Sequence, residues 1–286
     1  MGHQFELPFV AKRIRTRYWK PGDDFLKIIA DSIAYKCKDG DIIVISEKPI
    51  SVAMGRVVDE TEVRPSLLAK FLVRIWMRFV WGHLLGPLCH LRTRTLWRLR
   101  RYPIPEGYAH KQVALQYAGF GQALLHYSEG GIDVTNLPFA LASVPLENPL
   151  EVCKIVLKAI EKACGKQVIV MIIDTDRTYS SGVVHLTPRP GAMNGIRSLG
   201  VLASVFGRML CWKAQATPLA QCGRGRALSV EEALDAANVA DRAMGCGAGR
   251  TVWDMARNLR VEITGVTWEM LDRVRHFPIV LVRRVE

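Results

Sequence analysis

Two short acidic motifs in this sequence carry the residue types of a divalent-cation site. Residues 130–133 read Gly-Gly-Ile-Asp, and Asn136 follows, so the Asp133 carboxylate and an amide lie three residues apart. Further along the chain, Asp174 and Thr175 place a second carboxylate beside a hydroxyl at the end of an apolar run. Oxygen ligands of this kind suit Mg²⁺ or Mn²⁺ better than zinc, and such ions often hold nucleotide phosphates. The motifs predict a metal site that Asp133 and Asp174 share. The alternative is that each motif is an ordinary turn.

The second motif follows a run that is typical of a buried strand. Residues 167–173 read Gln-Val-Ile-Val-Met-Ile-Ile, without alternation, which predicts a strand covered on both faces. We therefore expect Asp174 where that strand meets a loop, a common position for catalytic groups in layered folds. Ahead of the strand, Asn148 and Pro149 suit the start of a helix, and Gly165 suits the position just after its end.

The remaining elements predict an α+β fold. A helix over 23–37 precedes a strand over 41–46, after which Pro49 discourages continuation as a central strand. Ser229 and Glu232 have the spacing of a capping box, and residues 278–283 predict a closing strand. The elements show no repeat period, which favours a layered fold over a barrel or solenoid. We treat 1–286 as one domain.

Composition limits the classes of partner. The net charge of +12 and the pI near 9.6 favour anionic partners such as nucleotides, nucleic acid or an acidic membrane surface. The seven cysteines are scattered, without a Cys-x-x-Cys pair, which argues against a disulfide framework or a zinc site and for a reducing cytoplasm. The start of the chain lacks the pattern of a signal peptide. These features predict a cytoplasmic protein.

The segment 62–111 differs from the rest of the chain because it is basic and rich in tryptophan. It holds ten Lys or Arg residues against two Glu, and Lys70, Arg74 and Arg78 recur at every fourth position. One interpretation is an amphipathic helix that packs on the body or on a dimer partner with its arginines outward. Alternatives are a clamp for an anionic substrate tail and an interfacial helix at an acidic membrane. Nucleic acid is a weaker alternative because no binding motif accompanies the charge.

Taken together, short motifs along nearly the whole chain resemble the coenzyme F420-0:L-glutamate ligase family. That family joins glutamate to a deazaflavin cofactor precursor and uses GTP. The matching segments follow the family's order: Leu7-Pro8, 21–24, 41–48, 55–58, 131–136, 174–175, 206–208 and 277–283. The resemblance implies a two-lobed layered α+β fold, in which a mixed sheet has flanking helices, and a homodimer.

The resemblance also implies roles for individual residues. Asp133, Asp174 and Thr175 would bind Mg²⁺ or Mn²⁺, and Asn136 would contact GTP. The other residues expected around the nucleotide are Leu7, Pro8, Ser46, Glu47 and Lys48. In the implied reaction, phosphoryl transfer to a carboxylate gives an acyl phosphate, which the glutamate amine attacks to form an amide. Such chemistry depends on positioning and on charge neutralisation.

The chain also departs from the family pattern. Val52 stands where the family has a lysine, and the loop before the last strand, 245–249, lacks the expected acid or amide. A third metal ligand would then come from elsewhere, for instance Asp254 or Glu262. We therefore expect a divergent amide ligase. The alternatives are a relative that binds nucleotide or cofactor without catalysis, and a protein that uses its basic surface on nucleic acid or membranes.

Overall fold

A mixed sheet forms the centre of the molecule. The structure is a computed structural model that describes residues 9–127, 129–224 and 226–284. Leu7 and Pro8, which were predicted to line the nucleotide site, lie outside these residues. The strands are β1 (Phe9–Thr16), β2 (Ile42–Ser46), β3 (Val57–Asp59), β4 (Leu141–Ser143), β5 (Ile169–Ser181), β6 (Val184–Thr187), β7 (Arg197–Ser198), β8 (Lys213–Gly223) and β9 (His276–Arg284).

Helices cover the sheet and form a separate layer beside it. The α-helices are α1 (Phe25–Ile33), α2 (Glu47–Ala53), α3 (Leu67–Phe71), α4 (Gly86–Leu88), α5 (Thr93–Arg100), α6 (Pro105–Tyr117), α7 (Phe120–Ala123), α8 (Pro149–Cys164), α9 (Val201–Met209), α10 (Val230–Met244), α11 (Val252–Leu259) and α12 (Trp268–Asp272). Residues Leu72–Leu85 are π-helical, and Glu60–Glu62 and Ile263–Gly265 form 3-10 turns. Helix makes up 45% and strand 22%, which confirms the predicted α+β class.

The strand order explains the apolar sequences of β2 and β5. The main sheet has the order β1-β9-β2-β5-β6-β7, and β8 also pairs with β5. Strands β2 and β5 are parallel neighbours in the middle, with Ser46 opposite Ile173. Helices α1 and α8 pack on one face of this pair, and α10 packs on the other through a row of alanines. The prediction of a strand covered on both faces is confirmed.

Several helix ends match the sequence signals. Helix α8 begins at Pro149, and Gly165 follows its last residue in the left-handed conformation with φ of +64°. Helix α10 begins with the predicted capping box, in which Ser229 and Glu232 each accept a hydrogen bond from the other's backbone N–H. Asp24 caps α1, which ends at Ile33, earlier than predicted.

The expected loop at Asp174 is absent, and that prediction was wrong. Strand β5 continues to Ser181 because β8 pairs with it on both sides of a bulge. Asp174 lies opposite Thr217, and Arg177 lies opposite the next residue, Ala216, so the pairing skips two residues of β5. Bulges of this kind redirect side chains and often lie beside functional sites.

The basic segment 62–111 forms much of the helical layer. Its long helix, 67–88, buries Val73, Met77 and Trp81 and exposes Phe71, Ile75 and Phe79 on the opposite side. The interpretation of a helix that packs on the body is therefore confirmed. No helix among the residues that the structure describes is long and apolar enough to cross a membrane.

Three arginines of this segment, Arg74, Arg78 and Arg98, contact other groups within the protein. Arg78 Nη2 donates to the Tyr102 carbonyl oxygen at 2.6 Å, and Arg74 Nε donates to the Tyr108 hydroxyl. Arg98 Nη2 lies 3.1 Å from the Asp254 carboxylate. The first two contacts join the long helix to α6 and to the turn before it, and the third joins α5 to α11, so the expectation of arginines that all point outward was wrong.

Candidate functional site

A cleft of about 920 Å³ lies at the carboxyl end of the parallel strands β2 and β5. In doubly wound folds this edge is where ligands usually bind. Every predicted site residue within the described ranges lines the cleft, namely Ser46, Glu47, Lys48, Asp133, Asn136, Asp174 and Thr175. The fold therefore gathers into one cavity residues that come from three distant stretches of the chain.

The Asp133 carboxylate is held by the turn that follows it and by Lys48. The Thr135 backbone N–H and hydroxyl both donate to Asp133 Oδ1 at 2.7 Å, which is an Asx-type turn. Lys48 Nζ lies 2.5 Å from Asp133 Oδ2 and also donates to the Thr135 carbonyl oxygen at 3.2 Å. The predicted metal ligand and the predicted phosphate-binding lysine thus form an ion pair.

Asp174 belongs to a buried cluster that the sequence did not reveal. Arg189, only 2% exposed, places Nη2 2.5 Å from Glu47 Oε1 and Nε 2.8 Å from Asp174 Oδ2. Glu47 Oε1 also accepts the Leu146 backbone N–H at 2.7 Å. Burial raises the pKa of Glu47 to about 7, while the charge of Arg189 acts in the opposite direction. Arg189 therefore holds two carboxylates at the base of the cleft.

Arg189 also explains the glycine pair of the first motif. Its Nη1 donates to the Gly130 carbonyl oxygen at 2.9 Å. Gly131 has φ of +97°, and a Cβ there would lie 2.8 Å from the Arg189 guanidinium carbon. The only sequence signal for Arg189 was its position between Pro188 and Pro190, which is too common to indicate a role.

Two further carboxylates, Asp176 and Asp241, line the cleft. Asp241, on α10, lies 3.0 Å from Arg177 Nη1. Burial raises the pKa of Asp241, and the negative charge of Asp174 raises it further, whereas Arg177 lowers it. Sequence reasoning missed Asp241 because nothing near it resembles a motif.

The residues suggested as a third metal ligand do not reach the cleft. Neither Asp254 nor Glu262 lines it. The Asp254 carboxylate instead lies 2.9 Å from Arg94 and 2.7 Å from Arg257. That suggestion was wrong, and Asp176 and Asp241 are the additional acidic groups beside Asp174.

Asn136 binds the glycine-rich loop 245–249. Its Oδ1 accepts the Ala248 backbone N–H at 2.6 Å, and its Nδ2 donates to the Cys246 and Gly249 carbonyl oxygens at 3.3 Å. Gly247 has φ of +55°, and a Cβ there would lie 2.6 Å from Asn136 Oδ1. Asn136 thus positions this loop against the cleft, and its direct contact with a nucleotide stays a prediction.

The donor atoms at Asp133 and Asp174 fit a hard divalent cation. Across 9–127, 129–224 and 226–284, no group of three or more His, Cys, Asp or Glu side chains is arranged to hold a metal alone. Mg²⁺, however, commonly uses one or two carboxylates together with phosphate and water oxygens. Asp174 Oδ2 is buried and, within the same residues, accepts no hydrogen bond, although Arg189 Nε lies close by. A cation bound there would share this oxygen with the Arg189 guanidinium, 2.8 Å away.

The cleft also carries positive charge suited to phosphates and carboxylates. Its basic side chains are Lys48, Arg177, Arg208, Arg242 and Arg250. The basic segment contributes no lysine or arginine to the described lining, so the interpretation of that segment as an anion clamp was wrong. It contributes Glu106 and His110 instead.

A buried charge network fixes the chain just before the glycine pair. Glu129 lies 2.6 Å from Lys111 and 3.1 Å from His110, and His110 lies 2.7 Å from Glu60. Burial lowers the pKa of His110, but the two carboxylates have the larger effect, so the pKa is raised to about 10. Residues 129 and 133 are close in sequence, so this network supports the turn that carries Asp133.

The raised pKa of His110 predicts a pH dependence of stability. Because the folded-state pKa of about 10 exceeds the unfolded value of 6.5, the charged imidazole stabilises the fold fully below about pH 6.5. This contribution is lost as the pH rises through 10. We expect His110→Gln to lower the free energy of unfolding at pH 6 more than at pH 10.5. Urea denaturation at both pH values measures this, and an equal loss at both would contradict it.

Comparisons with known proteins identify the family of this chain. A sequence model of the F420-0:gamma-glutamyl ligase family matches residues 13–217. The chain is also similar to the uncharacterized protein MJ1361 of Methanocaldococcus jannaschii, with 35% identity over 285 residues and 96% coverage of each protein. The family match supports a ligase role. Because the match spans most of the sequence and includes the acidic motifs, the chain belongs to the F420-0:gamma-glutamyl ligase family.

Proposed function

We propose that this protein is a nucleotide- and divalent-metal-dependent amide ligase. It adds L-glutamate to the carboxylate of F420-0, or of a related acceptor, through an acyl phosphate. The observation that carries the proposal is the meeting of Asp133 and Asp174 in one cleft with Lys48 and Arg177. Acidic groups for a cation beside basic groups for phosphate are what phosphoryl transfer requires.

Different residues of the cleft would bind the cation and the phosphates. Asp133, Asp174 and Thr175 would hold Mg²⁺ or Mn²⁺, which neutralises phosphate charge when it is bound. Lys48 and Arg177 bind and orient the phosphates of the nucleotide, GTP in the family resemblance. Arg189 positions Asp174 through their ion pair.

The proposed reaction has two steps, a phosphoryl transfer and an attack by an amine. The acceptor carboxylate attacks the terminal phosphoryl group of the nucleoside triphosphate, and the nucleoside diphosphate leaves. The glutamate amine then attacks the acyl carbon, the amide bond forms, and inorganic phosphate departs with the electron pair of the broken carbon–oxygen bond. The amine must lose a proton during this step, and the carboxylates of the cleft are the nearby acceptors.

Ligand-dependent stabilisation tests the site without requiring turnover. Mn²⁺ with GTP at about a hundred times the dissociation constant should stabilise the fold by roughly 2.7 kcal/mol. We expect Asp133→Asn to remove most of this stabilisation, measured as a thermal shift, because the variant loses a charged metal ligand. Asp31→Asn, at an exposed ion pair on α1, is the matched control. A wild-type shift in both variants would contradict the assignment.

A second candidate is a relative that binds the same ligands without catalysis. It is favoured by the ion pairs of Asp133 with Lys48 and of Asp174 with Arg189, which engage both proposed metal ligands. Mass spectrometry of the protein incubated with F420-0, L-glutamate, GTP and Mn²⁺ separates the candidates. A product heavier than F420-0 by one glutamyl residue supports the ligase, and binding without product supports the relative.

The homodimer and the cytoplasmic location remain predictions. Light scattering of the purified protein measures the first directly. The hypothesis that the basic segment binds nucleic acid or a membrane loses support, because Arg74, Arg78 and Arg98 already contact groups inside the protein. Binding to random oligonucleotides that falls steeply with salt concentration would support the nucleic-acid hypothesis again.

A further inference from the structure

One part of the cleft wall carries polar atoms that the protein does not satisfy. His126, Tyr127 and Arg208 all line the cleft. Within residues 9–127, 129–224 and 226–284, the buried atoms His126 Nδ1, Tyr127 Oη and Arg208 Nε have no hydrogen-bond partner. Buried polar groups normally have a partner, so three in one region of a cavity call for a ligand.

Packing, not polar contacts, fixes these side chains. His126 is only 4% exposed, and its ring lies 4.3 Å from the Trp81 ring and 5.3 Å from the Tyr127 ring, between centroids. The Trp81 indole N–H donates to the Leu124 carbonyl oxygen at 2.7 Å, which fixes the base of the stack. Arg208 lies on α9 with its guanidinium carbon 6.0 Å from the Tyr179 ring centroid. The polar atoms are therefore preorganised.

The charge of Arg208 is not balanced by the nearby acid. Glu129 is fully engaged with Lys111 at 2.6 Å and with His110 at 3.1 Å. Among the described acidic residues, none lies within ion-pair distance of Arg208. Burial and the charge of Arg208 lower the pKa of His126 to about 3, so its imidazole is neutral at pH 7. Burial raises the pKa of Tyr127 to about 12, which leaves its hydroxyl protonated.

We propose that Arg208, His126 and Tyr127 form a carboxylate subsite, in which the guanidinium binds a substrate carboxylate and the two rings hydrogen-bond to it. An uncompensated arginine beside neutral donors is complementary to a small anion. The acceptor carboxylate that is phosphorylated must lie at Asp133 and Asp174, so the subsite holds a carboxylate that does not react. The identity of its owner rests on the proposed function, and L-glutamate and F420-0 are the two sources.

Isothermal titration calorimetry on the full chain tests the subsite without turnover. L-glutamate and F420-0 are titrated separately into the wild type, Arg208→Gln and Tyr127→Phe. Arg197→Gln, at an exposed arginine of β7 outside the cleft lining, is the matched control. We expect Arg208→Gln to weaken one of the two ligands about 10- to 100-fold and Tyr127→Phe to weaken the same ligand less. Mn²⁺–GTP should bind both variants as it binds the wild type.

The ligand that loses affinity identifies the source of the carboxylate. Unchanged affinity of both ligands in Arg208→Gln, or no binding of either to the wild type, overturns the subsite. If Arg208→Gln does not fold, unchanged affinity in Tyr127→Phe overturns it. Failure of the proposed function looks different, because Arg208-dependent binding would then persist while the wild type forms no amide product.

Discussion

Asp174→Asn should reduce amide formation on the order of 10²- to 10³-fold, judged by the cost of removing single charge-stabilising groups from enzymes. The side chain keeps its size but loses the charge that the proposed cation requires. The effect should fall on kcat, because Asp174 is proposed to hold the cation that neutralises phosphate charge during phosphoryl transfer. Steady-state kinetics with GTP, Mn²⁺, F420-0 and L-glutamate measure this.

Asp174→Asn also needs a control for folding. The substitution removes one of the two carboxylates that lie within ion-pair distance of the buried Arg189 among the described residues, so some destabilisation is expected. Activity is therefore measured well below the melting temperature of the variant. Asp31→Asn, which removes an exposed charge, should retain wild-type kcat. Activity within threefold of wild type in a folded Asp174→Asn protein would remove Asp174 from the mechanism.

Glu129→Gln should lower the free energy of unfolding by about 3–5 kcal/mol, the usual effect of breaking a buried ion pair from one side. Lys111 is fully buried, and its ammonium lies 2.6 Å from Glu129, so the variant strands a charge in the interior. Urea denaturation monitored by fluorescence measures the loss. Glu151→Gln, at an exposed pair with Lys154, should change stability by less than about 1 kcal/mol.

The double variant Lys111→Met with Glu129→Gln separates a stranded charge from general damage. Removing the lysine charge should restore part of the stability that Glu129→Gln loses. An additive or larger loss in the double variant would show that the ion pair is not the cause.

Since Glu129 precedes the glycine pair, Glu129→Gln should also weaken Mn²⁺ binding at Asp133.

Local signals in the sequence predicted the elements better than the site. The capping box at Ser229, the helix ending before Gly165 and the apolar run of β5 each depend on neighbours in the chain. For that reason the sequence alone was enough to predict them. The bulge at Asp174 was not, because it arises from pairing with β8, which lies far along the sequence.

The residues that complete the cleft have no local signal. Arg189 gains its role only because the fold brings Gly130, Glu47 and Asp174 around it. Asp241 faces the cleft because α10 packs on one face of the sheet. The first acidic motif was recognisable because the two-residue spacing of Asp133 and Thr135 forms the Asx-type turn, and the second because Asp174 follows an apolar run.

The segment 62–111 shows the limit of reading charge from composition. Its spacing indicated a cationic stripe for solvent or an anionic ligand. The structure uses Arg74 and Arg78 to bind the Tyr108 hydroxyl and the Tyr102 carbonyl instead. Such acceptors lie in α6 and in the turn before it, and only the tertiary fold reveals them.

The most direct test is a crystal structure of the protein with Mn²⁺ and a nonhydrolysable GTP analogue. We expect an anomalous peak within about 2.5 Å of carboxylate oxygens from both Asp133 and Asp174, with the phosphates beside Lys48 and Arg177. A manganese ion bound elsewhere, while Asp133 and Asp174 keep only their contacts to Lys48 and Arg189, would contradict the shared metal site.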